Sequence, residues 1–311
     1  MAKTRALENL ADAENQAKGL TGEANNNFNQ ENDVKIIDGY KILPNAELPF
    51  EGRFYPTTWR FAYRCPKSIE VANFSTINEK DKPAILAAVE EMIRACFVII
   101  DEETGQKITN YQINDGDRTF FFLKLRDFYL PGKPISYNTM CLSCKNPLDV
   151  YLTASSLRYA EYPEKLFNSF DGRRFTLDMG FETPIVFHIQ TFEISGKIFR
   201  YIMKVYKENQ EEKNTQKDSE AFNKQFLLIA PFLFETGLET IPAIKQKFNN
   251  IIKNPELFKV YVDLANQLKF DNLETIFTLH DCGSEEETQI KFPGGWKNMF
   301  IDKDAYGGLF G

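Results

Sequence analysis

The chain has 311 residues, 43% of them hydrophobic, so it can bury one large core or two modest ones. Its 44 acidic and 37 basic residues give a formal net charge of −7, which argues against sequence-independent binding to a phosphate backbone, because such binding relies on clustered Lys and Arg. The sequence predicts no secretory signal and no run of about 18 apolar residues that would span a membrane, so we expect a protein made and kept in the cytosol.

The numbers of cysteines and phenylalanines indicate which kinds of cross-link and core the fold can have. The five cysteines are Cys65, Cys96, Cys141, Cys144 and Cys282. An odd number at irregular spacing, in a reducing compartment, predicts thiols and metal ligands rather than a disulfide framework. The 28 phenylalanines against 2 tryptophans indicate either a core filled with flat rings or a large surface that contacts other subunits.

The first 46 residues are predicted to form an N-terminal arm. Residues 1–32 include an Asn/Gln-rich patch and have too few large apolar residues to build a core. A disordered tail and an arm that becomes ordered on a neighbouring protein both fit this composition.

An α+β lobe is predicted to follow, over residues 47–208. Its first part, residues 47–74, is rich in aromatic and β-branched residues that are interrupted by Gly52, Pro56 and Pro66. This pattern predicts strands and turns.

Two helices are predicted next in this lobe. After Asp81, apolar residues recur at three- and four-residue spacing as far as Phe97, which is typical of an amphipathic helix. Cys96 lies on its apolar face, where a packed thiol is the expected role. The segment that follows Asp117 fits a helix better than a strand, although Phe120 and its neighbours also fit a strand.

The rest of the lobe is predicted to contain a hairpin, a tight turn and a helix. Short β-like runs flank Cys141 and Cys144, which places both thiols at the hairpin tip. Asp171-Gly172 predicts a tight turn, and a helix is predicted from Ile194 to about Tyr206.

A helical lobe over residues 209–270 and a C-terminal segment over residues 271–311 complete the prediction. Helical runs are expected at 219–235, 241–252 and 255–268, after a charged connector. The C-terminal segment is predicted to form a β-hairpin and a Gly-rich tail. The predicted fold class is therefore α+β, with a mixed N-terminal lobe that carries a zinc-ribbon-like cysteine hairpin, a helical lobe and a closing hairpin.

A single zinc ion is predicted to join the two hairpins. The C-x2-C pair Cys141 and Cys144 supplies two ligands, and His280 and Cys282 supply the other two of a closed, structural Cys3His site. The 135 residues between Cys144 and His280 cost about 4–5 kcal/mol in loop closure, whereas structural zinc contributes about 10–16 kcal/mol. The alternative is that Cys282 binds no metal and His280 is an exposed turn residue.

No catalytic residues are predicted. A redox role for the C-x2-C pair is disfavoured because its flanks are strand-like rather than a helix N-terminus. A catalytic zinc needs an open coordination position, which a four-ligand set does not leave. His188 is expected to be a packed or surface side chain, and the sequence contains no P-loop, G-x-G-x-x-G, G-x-S-x-G or H-E-x-x-H motif.

The order of the segments resembles a known family. Six segments follow one another along the chain: LPFEGRFYP, a helix, INDGDRTFFFLKLRDFYLPG, SYNTMCLSC, the FDGRRFTL turn and a late hairpin. This order resembles the baseplate hub and hub-assembly proteins of contractile-tailed bacteriophages. Arg126 and Gly132 match an Arg and a Gly of the family's pattern, and Cys141 and Cys144 match its first cysteine pair. The sequence departs from the pattern at Leu279, where a second C-x2-C would begin.

The resemblance covers roughly residues 47–300, and its motifs are short. It implies a non-enzymatic structural or assembly protein at the distal end of the tail, made in the host cytoplasm and bound to hub, tube or wedge proteins, with no small-molecule substrate. The alternative from another class is a zinc-ribbon nucleic-acid-binding viral regulatory protein. Its candidate basic stripe consists of Arg158, Lys165, Arg173 and Arg174, and nearby acidic residues disfavour it.

Overall fold

A computed structural model describes most of the chain between residues 39 and 300. The described ranges are 39–78, 80–141, 143–157, 167–181, 183–211, 224–267, 275–278, 288–291 and 299–300. Helices and strands are mixed along these ranges, so the predicted α+β class is confirmed.

The first sheet has four antiparallel strands in the order β1-β2-β3-β4. They are β1 (Lys41–Leu43), β2 (Trp59–Tyr63), β3 (Phe97–Asp101) and β4 (Lys107–Ile108). In β2 the aromatic residues alternate with Arg60 and Ala62, and this period of two turns the three aromatic rings towards the core.

A short helix, α1 (Ser68–Ser75), follows β2. The prediction of only strands and turns was wrong here. The helix begins where the Glu70 carboxylate accepts a hydrogen bond from the Lys67 backbone N–H at 2.7 Å, and it buries Val71 and Phe74. Two turns of helix give too few apolar positions for the period of 3.6 residues to stand out in the sequence.

The two longer helices of this region match the prediction. Helix α2 (Lys82–Cys96) begins at Asp81, whose carboxylate accepts from the Ala84 N–H at 3.1 Å. Cys96 is fully buried and packs in the core, as expected. Helix α3 (Arg118–Tyr129) follows Asp117 and packs against α2.

The predicted cysteine hairpin is present. Strands β5 (Ile135–Met140) and β6 (Pro147–Leu152) pair antiparallel in one register. Along β6, buried and exposed residues alternate, so Leu148, Val150 and Leu152 face the core.

A three-stranded sheet and four helical segments follow. The sheet contains β7 (Phe170–Asp171), β8 (Arg174–Leu177) and β9 (Ile185–His188), with the predicted tight turn at Gly172 between β7 and β8. The helical segments are α4 (Phe192–Glu211), α5 (224–229, continued by a 3-10 turn over Ala230–Leu233), α6 (Ile241–Ile252) and α7 (Pro255–Gln267). These helices follow the predicted pattern, including the interruption at Pro231. The connector at 212–223 lies outside the described residues.

Three apolar clusters form the core. The largest joins the four-stranded sheet, α2, α3, the β5–β6 hairpin and the dipeptide Met299-Phe300. The second packs the β8–β9 sheet on Phe232 and Leu264, which lie on the other side of the predicted lobe boundary at residue 208. The third lies among α4, α5 and α6.

Phenylalanine accounts for most of the largest fully buried side chains. They are Phe61, Phe97, Phe120, Phe121, Phe122, Phe175, Phe187, Phe192, Phe226, Phe234 and Phe248. Their rings pack edge-on or stacked, for example Phe97 against Phe121 at 4.8 Å between centroids. Of the two explanations for the high phenylalanine content, core packing is therefore the one that the described residues support.

The predicted C-terminal hairpin is also present, as β10 (Thr275–Thr278) and β11 (Thr288–Lys291), which pair antiparallel. Across the ranges that the structure describes, no helix combines the length and the apolar character that a membrane crossing requires.

Candidate functional site

Three segments that carry the family resemblance meet inside the molecule. The Tyr55 hydroxyl, from LPFEGRFYP, donates a hydrogen bond of 2.6 Å to Asp117 Oδ2, from INDGDR. Asn114 lies beside them, and its backbone N–H donates to the Tyr55 oxygen at 3.2 Å. Its side-chain Nδ2 donates to Asp117 Oδ2 at 3.3 Å. All three side chains are more than nine-tenths buried.

Arg173, from the FDGRRF turn, adds a positive charge to this group. Its two terminal nitrogens donate to the backbone carbonyls of Phe54 (2.9 Å) and Gln112 (2.8 Å). Its guanidinium also lies over the Tyr55 and Trp59 rings, at 5.5 and 5.4 Å from their centroids. Tyr55, Asn114, Asp117 and Arg173 are called the buried polar network below.

Burial dominates the electrostatics of this network. It raises the pKa of Asp117 to about 7, against the hydrogen bonds from Tyr55 and Asn114 and the charge of Arg173, which lower it. Burial likewise lowers the pKa of Arg173 to about 10 and raises the pKa of Tyr55 well above 10. The positive charge of Arg173 offsets the ionised carboxylate when Asp117 loses its proton.

Asp117 has a different role from the one its position suggests. It precedes helix α3, where an aspartate usually accepts a bond from the first turn. Here its side chain makes no such bond. It accepts hydrogen bonds from the Tyr55 hydroxyl and the Asn114 side chain instead.

A strained turn lies immediately before the network. Phe50, Glu51 and Gly52 all adopt left-handed backbone conformations, with φ of 52°, 56° and 74°. For residues with a Cβ this conformation costs about 1–2 kcal/mol each, and it persists only where the surroundings fix it. The Phe54 carbonyl, two residues later, accepts from both Arg173 and Asn114. The buried polar network therefore fixes the backbone at Phe54, just after the strained turn.

The strained turn borders a cavity of about 640 Å³. Phe120 and Leu157 form apolar parts of its wall, and Lys124 pairs with Glu47 beside it at 2.6 Å. Phe50 and Phe167 also line the cavity, with their ring centroids 6.0 Å apart.

Arg126 and Gly132, the two residues singled out by the resemblance, organise the turn after α3. Arg126 is 5% exposed; its Nε donates to the Met299 carbonyl at 3.1 Å, and a terminal nitrogen donates to the Lys133 carbonyl. Gly132 has a φ of 73°, which a residue with a side chain adopts only with strain. The arginine thus fixes the turn and the C-terminal Met299-Phe300 on the same helix.

The C-x2-C pair lies at the tip of the β5–β6 hairpin, as predicted. The Cys141 N–H donates to the Asn146 carbonyl and the Lys145 N–H donates to the Cys141 carbonyl, both at 2.9 Å. Lys145 closes the tip in a left-handed conformation, with φ of 61°. Cys141 is buried and Cys144 is half-buried. Two thiols on one short tip suit a tetrahedral ion that binds sulfur.

The other two predicted zinc ligands, His280 and Cys282, lie outside the described residues. The strands that flank them, β10 and β11, are described and antiparallel. Both predicted ligand pairs therefore belong to connections of hairpins. Within the described ranges, no group of three or more His, Cys, Asp or Glu side chains is placed to hold a metal ion.

His188 is a packed histidine, as expected. It is 5% exposed, and its Nδ1 donates to the Ile189 carbonyl at 2.7 Å. Burial lowers its pKa to about 4, so the ring is neutral at pH 7. Its ring also lies against the turn at Gly237.

One residue of the candidate nucleic-acid-binding stripe, Arg173, is engaged inside the fold. Arg173 directs its charge into the buried network rather than to the surface. Arg174 is exposed, and Arg158 and Lys165 lie outside the described residues. Arg173 is therefore engaged inside the fold, whereas phosphate binding needs accessible cations; the nucleic-acid alternative itself stays a prediction.

Comparison with known proteins gives no further identification. No protein-family model, curated protein or solved structure matches this chain.

Sequence reasoning did not find the buried polar network. Tyr55, Asn114, Asp117 and Arg173 span more than a hundred residues, and no local spacing connects them. The one available signal was that three of the segments that carry the resemblance contain them.

Proposed function

We propose that this chain is a non-enzymatic structural or assembly component of a contractile bacteriophage tail, at the hub region of the baseplate, where it binds other tail proteins. One observation carries the proposal. Three short segments that resemble the hub and hub-assembly proteins supply the four residues of one buried polar network. The segments that carry the resemblance therefore lie together in the interior of the fold.

The arrangement of Arg126 adds to this support. The residue that the resemblance selects is a buried cation that holds both the turn at Gly132 and the C-terminal Met299-Phe300. Buried charges are costly unless they are paired or hydrogen-bonded, so such an arginine belongs to the architecture of the fold. A rigid body of this kind suits a protein whose work is to hold other polypeptides in position.

Protein contacts would use side chains other than the phenylalanines of the core. Exposed apolar side chains in the described part include Ile69 (64%), Tyr151 (62%) and Leu238 (78%). They lie on α1, on the β5–β6 hairpin and between α5 and α6, which would allow several neighbours at once.

Membership of the tail is tested by quantitative mass spectrometry of purified virions and of unfinished tails from infected cells. A resident part is found in virions in fixed ratio to the baseplate proteins. An assembly factor is found on unfinished hubs and is lost from the particle. Absence from both preparations contradicts the proposal.

The structural zinc ion belongs to the same proposal. Cys141 and Cys144 would supply two thiolates from the β5–β6 hairpin, and His280 and Cys282 would supply the remaining ligands from the β10–β11 connection. The ion would join two hairpins that are far apart in sequence, so its removal should loosen the fold.

Metal analysis of the purified chain tests the shared ion. We expect one zinc per chain, and we expect Cys141→Ser and Cys282→Ser to lose the zinc and to melt at lower temperature. Cys65→Ser is the matched control, because Cys65 is half-buried and outside the ligand set. Unchanged zinc content in the Cys141 and Cys282 variants would exclude the site while leaving the tail assignment untouched.

A further inference from the structure

One edge of strand β5 faces no other strand that the structure describes. The β5–β6 hairpin is a separate two-stranded sheet. At its tip the Cys141 N–H donates to the Asn146 carbonyl, and opposite pairs alternate between bonded and unbonded along an antiparallel ladder. The backbone N–H and C=O groups of Ser136, Asn138 and Met140 therefore point away from β6. Within the described ranges, no hydrogen bond reaches these groups.

The two edges of the hairpin differ in their protection against further strands. The outward positions of β6 include Pro147 and Asp149. Proline has no N–H to offer a neighbouring strand, and charged side chains discourage pairing. Strand β5 has the sequence ISYNTM, without a proline or a charged residue. The edge of β5 is therefore the one that can accept another strand.

The outward positions of β5 also carry their side chains on one exposed face. Ser136, Asn138 and Met140 are all exposed, and Met140 is 57% exposed. Tyr151, directly opposite Ser136 on β6, is 62% exposed. A strand laid against β5 extends this face and brings new side chains next to Met140 and Ser136.

We propose that β5 pairs antiparallel with β5 of a second copy of this chain, about a twofold axis that passes between the two Asn138 residues. In this register Met140 of each copy lies beside Ser136 of the other, so a large side chain meets a small one at both ends of the contact. Tyr151 of one copy and Met140 of the other then flank the same serine, roughly 9.5 Å or two strand spacings apart. The two long side chains cover each other above it, with the thioether against the aromatic ring.

A second copy fits this edge because β5 is complementary to itself. Its unpaired backbone groups are evenly spaced on both sides of Asn138, so each one meets a partner across the twofold axis. The Asn138 side-chain amide has two N–H groups. One donates to Asp149 Oδ1, and the other is directed to the Asn138 oxygen of the second copy. Paired copies of one chain about a twofold axis are also the commonest protein oligomers.

The charges of the hairpin allow this pairing. Strand β5 brings no charge to the contact. The Asp149 carboxylates of the two copies lie three strand spacings apart, roughly 14 Å, which exceeds the Debye length of about 8 Å at physiological salt. The proposal follows from strand pairing alone and is independent of the tail assignment.

Sedimentation velocity of the full chain from about 1 to 200 μM tests this proposal, a range that covers weak and moderate self-association. The expected result is a reversible equilibrium between monomer and dimer. A monomer at every concentration overturns the proposal, including the case in which the β5 edge binds a different polypeptide.

Asn138→Pro and Asp149→Pro are matched variants. Both lose the same side-chain hydrogen bond, and each removes one outward backbone N–H, but only Asn138 lies on the edge of β5. We expect Asn138→Pro to be monomeric and Asp149→Pro to keep the dimer, with the fold of both checked by circular dichroism. A dimer that persists in Asn138→Pro overturns the proposal, and so does loss of the dimer in both variants.

Asn138→Lys gives the decision if a proline variant does not fold, because an exposed lysine leaves the backbone hydrogen bonds of the hairpin intact. It places two like charges opposite each other across the twofold axis. We expect the dissociation constant of the dimer to rise at least about tenfold at low salt and the difference from wild type to shrink as salt is added. A dissociation constant equal to that of wild type overturns the proposal.

Discussion

The Tyr55 hydroxyl donates a 2.6 Å hydrogen bond to Asp117, which lies 62 residues further along the chain. It also accepts from the Asn114 backbone at 3.2 Å, so one phenol oxygen joins two segments of the fold. The same carboxylate oxygen accepts from Asn114 Nδ2. This contact fixes the segment that follows the strained turn on the N-terminal end of helix α3.

Tyr55→Phe should destabilise the protein by about 1.5–3 kcal/mol, because it leaves the buried Asn114 backbone N–H without its partner and removes one of the hydrogen bonds to the buried Asp117 carboxyl group. Urea unfolding measures the difference. Tyr151→Phe is the matched control, since Tyr151 is 62% exposed and should show almost no change. Equal stability of the two variants would mean that the hydroxyl contributes nothing to the network.

Asp117 should give the protein a distinctive dependence on pH. Its folded-state pKa of about 7 lies above the ordinary value of 3.8, so the folded state holds the proton more tightly than the unfolded state. The stability from this group is present in full below about pH 4 and is lost as the pH rises through about 7. The free energy of unfolding of wild type relative to Asp117→Asn should therefore fall between pH 4 and pH 8. A constant difference across that range would contradict the raised pKa.

His188 should produce the opposite dependence at lower pH. Its folded-state pKa of about 4 lies below the ordinary value of 6.5, so its contribution is present above about pH 6.5 and is lost as the pH falls through about 4. His188→Asn keeps a donor for the Ile189 carbonyl but cannot titrate in this range. The variant should lose less stability than wild type between pH 6.5 and pH 4, as measured by urea unfolding. Parallel losses would show that His188 is not the titrating group.

The sequence predicted the elements better than the site. Helix α2 and the β5–β6 hairpin were predicted because apolar spacing, a first-turn proline and short β-like runs are local features. Helix α1 was missed because it is only two turns long. The left-handed residues Phe50 and Glu51 have no local signal beyond Gly52, since their conformation is imposed by contacts. The network could not be predicted, because pairing between distant polar residues is decided by tertiary packing.

Phe300 should be essential for the largest core. It is 3% exposed, and its ring packs edge-on against Phe74, Phe122 and Tyr129 at 5.4–5.8 Å. Phe300→Ala should cost about 3–5 kcal/mol, as measured by urea unfolding. Phe199→Ala, at a side chain that is 42% exposed, should cost about 1 kcal/mol or less. Similar losses in both variants would mean that Met299-Phe300 is not part of the core.

The most direct test of the tail assignment is inactivation of the gene in the bacteriophage that the assignment implies, followed by electron microscopy of the particles made in infected cells. The assignment predicts filled heads and unfinished or missing baseplates, with infectivity restored when the full chain is supplied from a plasmid. Normal baseplates and undiminished infectivity without the chain would contradict it.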